Sequence, residues 1–128
     1  MARHKTYRLG DLQLKILKVL WDKREAGVST VLEHLNGDSD LAYTTVATML
    51  RKMEARGLVG HRPDGRSFIY HAKVSSNDVS RSLTNHLVDR VFEGSLIDAV
   101  NHLLTAREVS RDELAALERL IVQKKKSL

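Results

Sequence analysis

The chain has 128 residues, 42% of them hydrophobic and 29% charged, which fits one domain or two very small ones and excludes wholesale disorder. It contains no cysteine, so disulfide frameworks, thiolate zinc fingers, iron–sulfur clusters and cysteine nucleophiles are all excluded. The net charge of +5 is unevenly placed: residues 1–73 hold 13 Lys and Arg against 8 Asp and Glu, whereas residues 74–128 hold 8 of each. All the excess positive charge belongs to the N-terminal part, where polyanion binding is the first expectation. Met1–Gly10 is basic, but no apolar run of about 7–15 residues follows it, so no signal peptide is expected. No window approaches about 18 apolar residues, so a soluble cytoplasmic protein without membrane insertion is expected.

In chain order, Leu9-Gly10-Asp11 opens a helical pattern in which Leu12, Ile16, Val19 and Leu20 form a stripe broadened by Leu17 and Trp21. Gly27 is expected to close this helix and Val28 to form a short extended link. Ser29 reads as the N-cap of a second helix with Val31, Leu32 and Leu35 on its apolar side. Asn36-Gly37-Asp38-Ser39-Asp40 is a dense turn signal, after which a third helix runs from about Leu41 to Arg56 and stops at Gly57. Two β-capable runs, Leu58–Arg62 and Ser67–His71, surround a predicted Pro63-Asp64-Gly65-Arg66 turn and predict a hairpin. Three helices followed by a hairpin is the layout of a winged helix-turn-helix. The fold class expected is therefore mainly α with a small β wing.

After Val74 the pattern is helical throughout. Ser75–Asp78 offers caps for a helix carrying Val79, Leu83, Leu87 and Val91, with Val88 and Phe92 alongside, and Gly94 stops it. Ser95 with Asp98 starts a helix bearing Leu96, Val100, Leu103 and Leu104. Ser110 and Glu113 match a capping box ahead of a last helix with Leu114, Leu117, Leu120 and Ile121. Three short amphipathic helices cannot bury such stripes well alone. The expectation is a winged-helix DNA-binding domain over 1–73 and a three-helix dimerisation region over 74–128. Val79, Leu83, Leu87, Val91, Leu96, Val100, Leu103, Leu104, Leu114, Leu117 and Ile121 are its candidate dimer contacts, and the partner is a second copy of the chain. Folding back onto the same chain is the alternative.

The third helix carries the most informative surface. At about 100° per residue, Val46, Met49, Leu50 and Met53 gather on one side as a core face. Opposite lie Thr44, Ala47, Thr48, Arg51 and Ala55, flanked by Thr45 and Lys52, with no Asp or Glu between Tyr43 and Met53. A helix entering the major groove must lack anions there; small residues let its axis approach, and hydroxyls and Arg can bond bases or phosphates. Tyr43, Thr44, Thr45 and Thr48 are the candidate base-reading residues. Arg51, Lys52 and the hairpin's Arg62 and Arg66 are the candidate phosphate contacts, with Lys5, Thr6 and Arg8 as weaker additions. An ordinary Thr-rich amphipathic helix and an exposed soluble turn are the plainer readings of the same residues.

No chemistry of another kind is visible. His4, His34, His61, His71, His86 and His102 form no HExxH motif, and the pairs His86/Asp89 and Asp98/His102 are at most minimal half-sites of a type common on solvated helix faces. No paired carboxylates, Ser/His/Asp set or phosphate-cradling glycine motif is present, so neither a metal, a cofactor nor an enzymatic activity is expected.

Leu9-Gly10-Asp11-Leu12, Leu17-Lys18-Val19-Leu20-Trp21, Leu41-Ala42-Tyr43-Thr44-Thr45-Val46, Arg56-Gly57-Leu58-Val59 and Phe68-Ile69-Tyr70 follow one another in an order and spacing that is specific. On these stretches the chain resembles the penicillinase-repressor family (BlaI/MecI/CopY) over essentially its full length. The resemblance implies a winged-helix repressor, dimeric through C-terminal helices, that binds inverted-repeat operators with Tyr43, Thr44, Thr45 and Thr48 at the base-reading end. In the antibiotic-resistance branch a membrane-bound metalloprotease sensor system ends repression by cutting an Asn-Phe bond. The matching pair here is His102-Leu103, which leaves a sensor-protease partner open. The copper-responsive branch carries paired cysteines that this chain lacks. An architectural DNA binder and a protein-interaction adaptor are the rival functions.

Overall fold

The computed structural model describes residues 7–36 and 40–128; Lys5, Thr6 and the centre of the turn expected at 36–40 lie outside the described residues. The elements are α1 (Asp11–Lys23), β1 (Glu25–Gly27), α2 (Val28–Leu35), α3 (Tyr43–Ala55), β2 (Val59–Asp64), β3 (Ser67–Ala72), α4 (Ser76–Val91), α5 (Leu96–Ala106) and α6 (Arg111–Lys126). This is the mainly helical fold with a small β wing that the sequence predicts. It forms two compact units divided within α4, one ending at Thr84 and the other spanning Asn85–Leu128.

In the first unit, Ile16, Leu17 and Leu20 of α1 meet Val31 of α2 and Val46, Leu50 and Met53 of α3, with Ala26, Leu58, Val59 and Tyr70 closing the core from the sheet side. The predicted apolar faces of α1 and α3 are thus the buried ones, Met49 being half-buried. The end of α3 shows how sequence sets a boundary. Gly57 takes φ 78, its N–H donates to Glu54 O (3.0 Å), and Leu58 N–H reaches back to Met53 O (3.0 Å). This is the glycine-dependent Schellman closure, with Met53 and Leu58 both buried beneath it.

Three local expectations are corrected. The residues expected to close α1 and link onward form a strand: the chain leaves α1 at Arg24 (φ 70), and Glu25–Gly27 pairs antiparallel with β3 in a sheet of order β1-β3-β2. Val28 is helical, and Gly27 rather than Ser29 is the N-cap of α2. The hairpin turn is shorter than predicted. Asp64 pairs with Ser67, leaving Gly65-Arg66 as a two-residue loop. Gly65 adopts φ 62 at the first central position, as a type II′ turn requires. Pro63 is accommodated because β2 is an edge strand.

The first turns of α4 belong to the first compact unit. Val79 is 1% exposed, Ser82 Oγ accepts from Tyr7 N (3.1 Å), and just ahead of the helix Val74 O accepts from Trp21 Nε1 (2.9 Å). Ser75 caps α4, Ser95 caps α5 through Asp98 N–H, and Ser110 with Glu113 forms the expected capping box of α6. Gly94, at φ 84, follows the end of α4.

Candidate nucleic-acid interface

Helix α3 presents its predicted outer face to solvent. Thr44, Thr45, Thr48, Arg51 and Lys52 are exposed, Tyr43 is half exposed at the first turn, and Ala47 is partly covered. Arg51 Nη2 donates to Thr48 Oγ1 (3.3 Å), so the cation and a hydroxyl one turn earlier form a connected polar patch. The start of α3 differs from those of α5 and α6. Its N-cap is Ala42, no side chain caps it, and its first turn holds no acid. Thr45 N–H donates to Ala42 O (3.1 Å), but among the described residues the N–H groups of Tyr43 and Thr44 meet no acceptor, so they and the positive end of the helix dipole can face an external anion.

The wing flanks this helix. Arg66 sits exposed in the two-residue turn. Arg62 does not stand free: Nη2 and Nε donate to Glu25 Oε1 and Oε2 at 2.8 and 3.3 Å, crossing the outer face of the sheet. The hydrogen bond from Arg62 holds the Glu25 carboxyl below the usual carboxylate range, and Glu25 in turn raises the guanidinium. Arg8 contributes its carbonyl, not its charge, to a contact, accepting from Arg56 Nη2, while Arg56 Nη1 donates to Gln13 Oε1 (3.2 Å). Burial pushes the Tyr70 phenol up, with Glu54 adding to the effect and Arg51 opposing it.

Two pairs escaped the sequence reading: Glu25–Arg62, which joins β1 to β2, and Glu54–His61, with His61 Nδ1 at 2.7 Å from the carboxylate. The acid-free window ended at Met53, one residue short of Glu54, and only strand register reveals which wing residue faces it. Of the expected dimer contacts, Leu87, Val91, Leu96, Val100, Leu103, Leu104, Leu114, Leu117 and Ile121 are exposed in the single chain and Leu83 is half-buried. Val79 is already buried within the chain. Among the described residues no group of three or more His, Asp or Glu is placed to hold a metal, and no helix is long and apolar enough to cross a membrane.

The family profile described as penicillinase repressor matches residues 9–123. The chain belongs to the penicillinase repressor family. It is 34% identical over 122 residues to the transcriptional regulator BlaI of Mycobacterium tuberculosis (strain ATCC 25618 / H37Rv), covering 93% of this chain and 86% of that protein. To the methicillin resistance regulatory protein MecI of Staphylococcus aureus (strain N315) it is 20% identical over 121 residues, covering 94% and 98%. Among solved structures, the DNA-binding domain of the repressor BlaI matches 59% of this chain and 93% of its own length, with a TM-score of 0.51 and 26% identity. The penicillinase repressor family is one of transcriptional repressors, not enzymes.

Proposed function

We propose that this chain is a sequence-specific transcriptional repressor that binds inverted-repeat operators as a homodimer. Residues 1–73 read DNA and residues 74–128 hold the two copies together. The observation that carries this reading is α3: an exposed helix with a hydroxyl- and cation-bearing face and an uncapped, acid-free start, beside a wing that ends in Arg66. Tyr43, Thr44, Thr45 and Thr48 discriminate bases, whereas Arg51, Lys52 and Arg66 contact phosphate. Arg62 joins them to the extent that DNA phosphates displace Glu25. The exposed leucines and valines of α5 and α6 support the dimer, with half-sites about 10 bp apart or a multiple of that. Whatever separates the C-terminal helices relieves repression, because two weak half-site contacts then cease to act as one.

Fluorescence anisotropy tests this on a duplex from the chain's own upstream region, with a shuffled duplex as competitor, over a range of salt. A preference of ~10³-fold with a steep salt slope is expected. Equal affinity for both duplexes favours an architectural binder, and no binding at low salt favours an adaptor. Thr48→Ala should cost about 1–3 kcal/mol on the native duplex and relax specificity. A Thr48→Ala protein with full operator preference overturns the assignment of that residue.

A further inference from the structure

Glu54 is the one carboxylate on α3 and stands in its last turn. Strand alternation sorts the wing around it. His61, Pro63, Phe68 and Tyr70 lie on the face toward α3, while Arg62 and Asp64 share the opposite face with Glu25. On the α3 side of the wing, Glu54 is therefore the single anion among α3, β2 and β3. It is also engaged: both of its oxygens lie 2.7 Å from His61 Nδ1. That nitrogen must carry a hydrogen, since a lone pair aimed at a carboxylate would be repelled. The imidazole is itself held, with its ring 4.4 Å from Phe68 and 5.6 Å from Tyr70.

We infer that His61 is a positioning residue for operator binding. It draws the Glu54 carboxylate toward the wing and away from the DNA phosphates. The inference rests on the reading of α3 as the DNA-facing helix. An anion within about 8–10 Å of a phosphate is incompletely screened at physiological salt, so an unheld Glu54 would oppose binding. His61 removes that opposition without itself touching a base.

The test is a double-mutant cycle on the full chain, read as affinity for the upstream duplex, with wild type, His61→Ala, Glu54→Gln and the double variant. His61→Ala should weaken binding about tenfold, a coupling of ordinary size for a contacting pair. Glu54→Gln should bind at least as tightly as wild type. The double variant should recover to within about threefold of Glu54→Gln, because the anion that His61 restrains is gone. An equal loss on removing His61 in both backgrounds overturns the inference, as does no loss in either. Circular-dichroism melts identify any variant that fails to fold. If His61→Ala does, His61→Gln takes its place in the cycle, with a smaller loss that Glu54→Gln again cancels; an uncancelled loss overturns the inference. A wild-type chain that binds no duplex overturns the repressor reading as well, whereas specific wild-type binding with an additive cycle overturns only the role of His61.

Discussion

The two compact units contain similar helices but bury them to different degrees. In the first, residues from six elements interlock around Leu17, Leu50 and Val59, and the large apolar side chains left exposed among its described residues are Tyr43 and Phe68. In the second, Ala99 is the one buried hydrophobic, while Leu96, Ile97, Leu103, Leu117, Leu120 and Ile121 all stand in solvent. Local encoding does not explain the contrast, because α5 and α6 are the better capped helices, with Ser95 and Ser110 and acids in their first turns. Helix formation and helix burial are separate requirements. The second unit meets the first requirement alone and leaves its large apolar side chains as exposed surface. That surface is what a second copy of the chain would cover.

The comparison breaks most decisively at that surface. Leu103→Asp combined with Leu117→Asp should convert a dimer to a monomer in sedimentation velocity. It should lower operator affinity by about 10²–10⁴-fold, with the melting of the first unit unchanged. An unaltered sedimentation coefficient would show that these helices do not join copies. Next in size, Leu50→Ala opens a cavity in the interlocked core and should cost about 2–5 kcal/mol in urea unfolding. The same truncation at exposed Leu120 should cost a small fraction of that. The smallest effect distinguishes the two arginines of the wing. Glu25→Gln frees Arg62, so affinity should rise for all duplexes alike and the salt slope should steepen by about one unit. Unchanged affinity would mean that Arg62 never leaves the outer face of the sheet.

Much of this was legible in the sequence for identifiable reasons. The 3.6-residue period marked the core faces of α1 and α3, and Gly57, Gly94, Ser95 and Ser110 marked boundaries whose chemistry is local. The outer face of α3 was legible because the absence of acids from Tyr43 to Met53, three turns of helix, is itself a pattern. Strand β1 was not, since Glu25-Ala26-Gly27 is too short to show alternation and becomes a strand only through its pairing with β3. The pairs Glu25–Arg62 and Glu54–His61 were hidden for the same reason: sheet register and the packing of α3 on the wing bring them together, and neither is written in spacing along the chain. The exposure of the predicted dimer stripe could be foreseen only as a surplus of apolar surface.

The bare start of α3 has a consequence for how this protein can be improved. Replacing Ala42 with Asp or Ser would supply the missing cap, and such a change stabilises a helix by about 0.5–2 kcal/mol. The same side chain would occupy the amide groups that an incoming phosphate would use, and Asp would add an anion there. The most thermostable residue at position 42 is then not the most useful one. Selection for heat resistance and selection for grip on DNA would pull this one site in opposite directions.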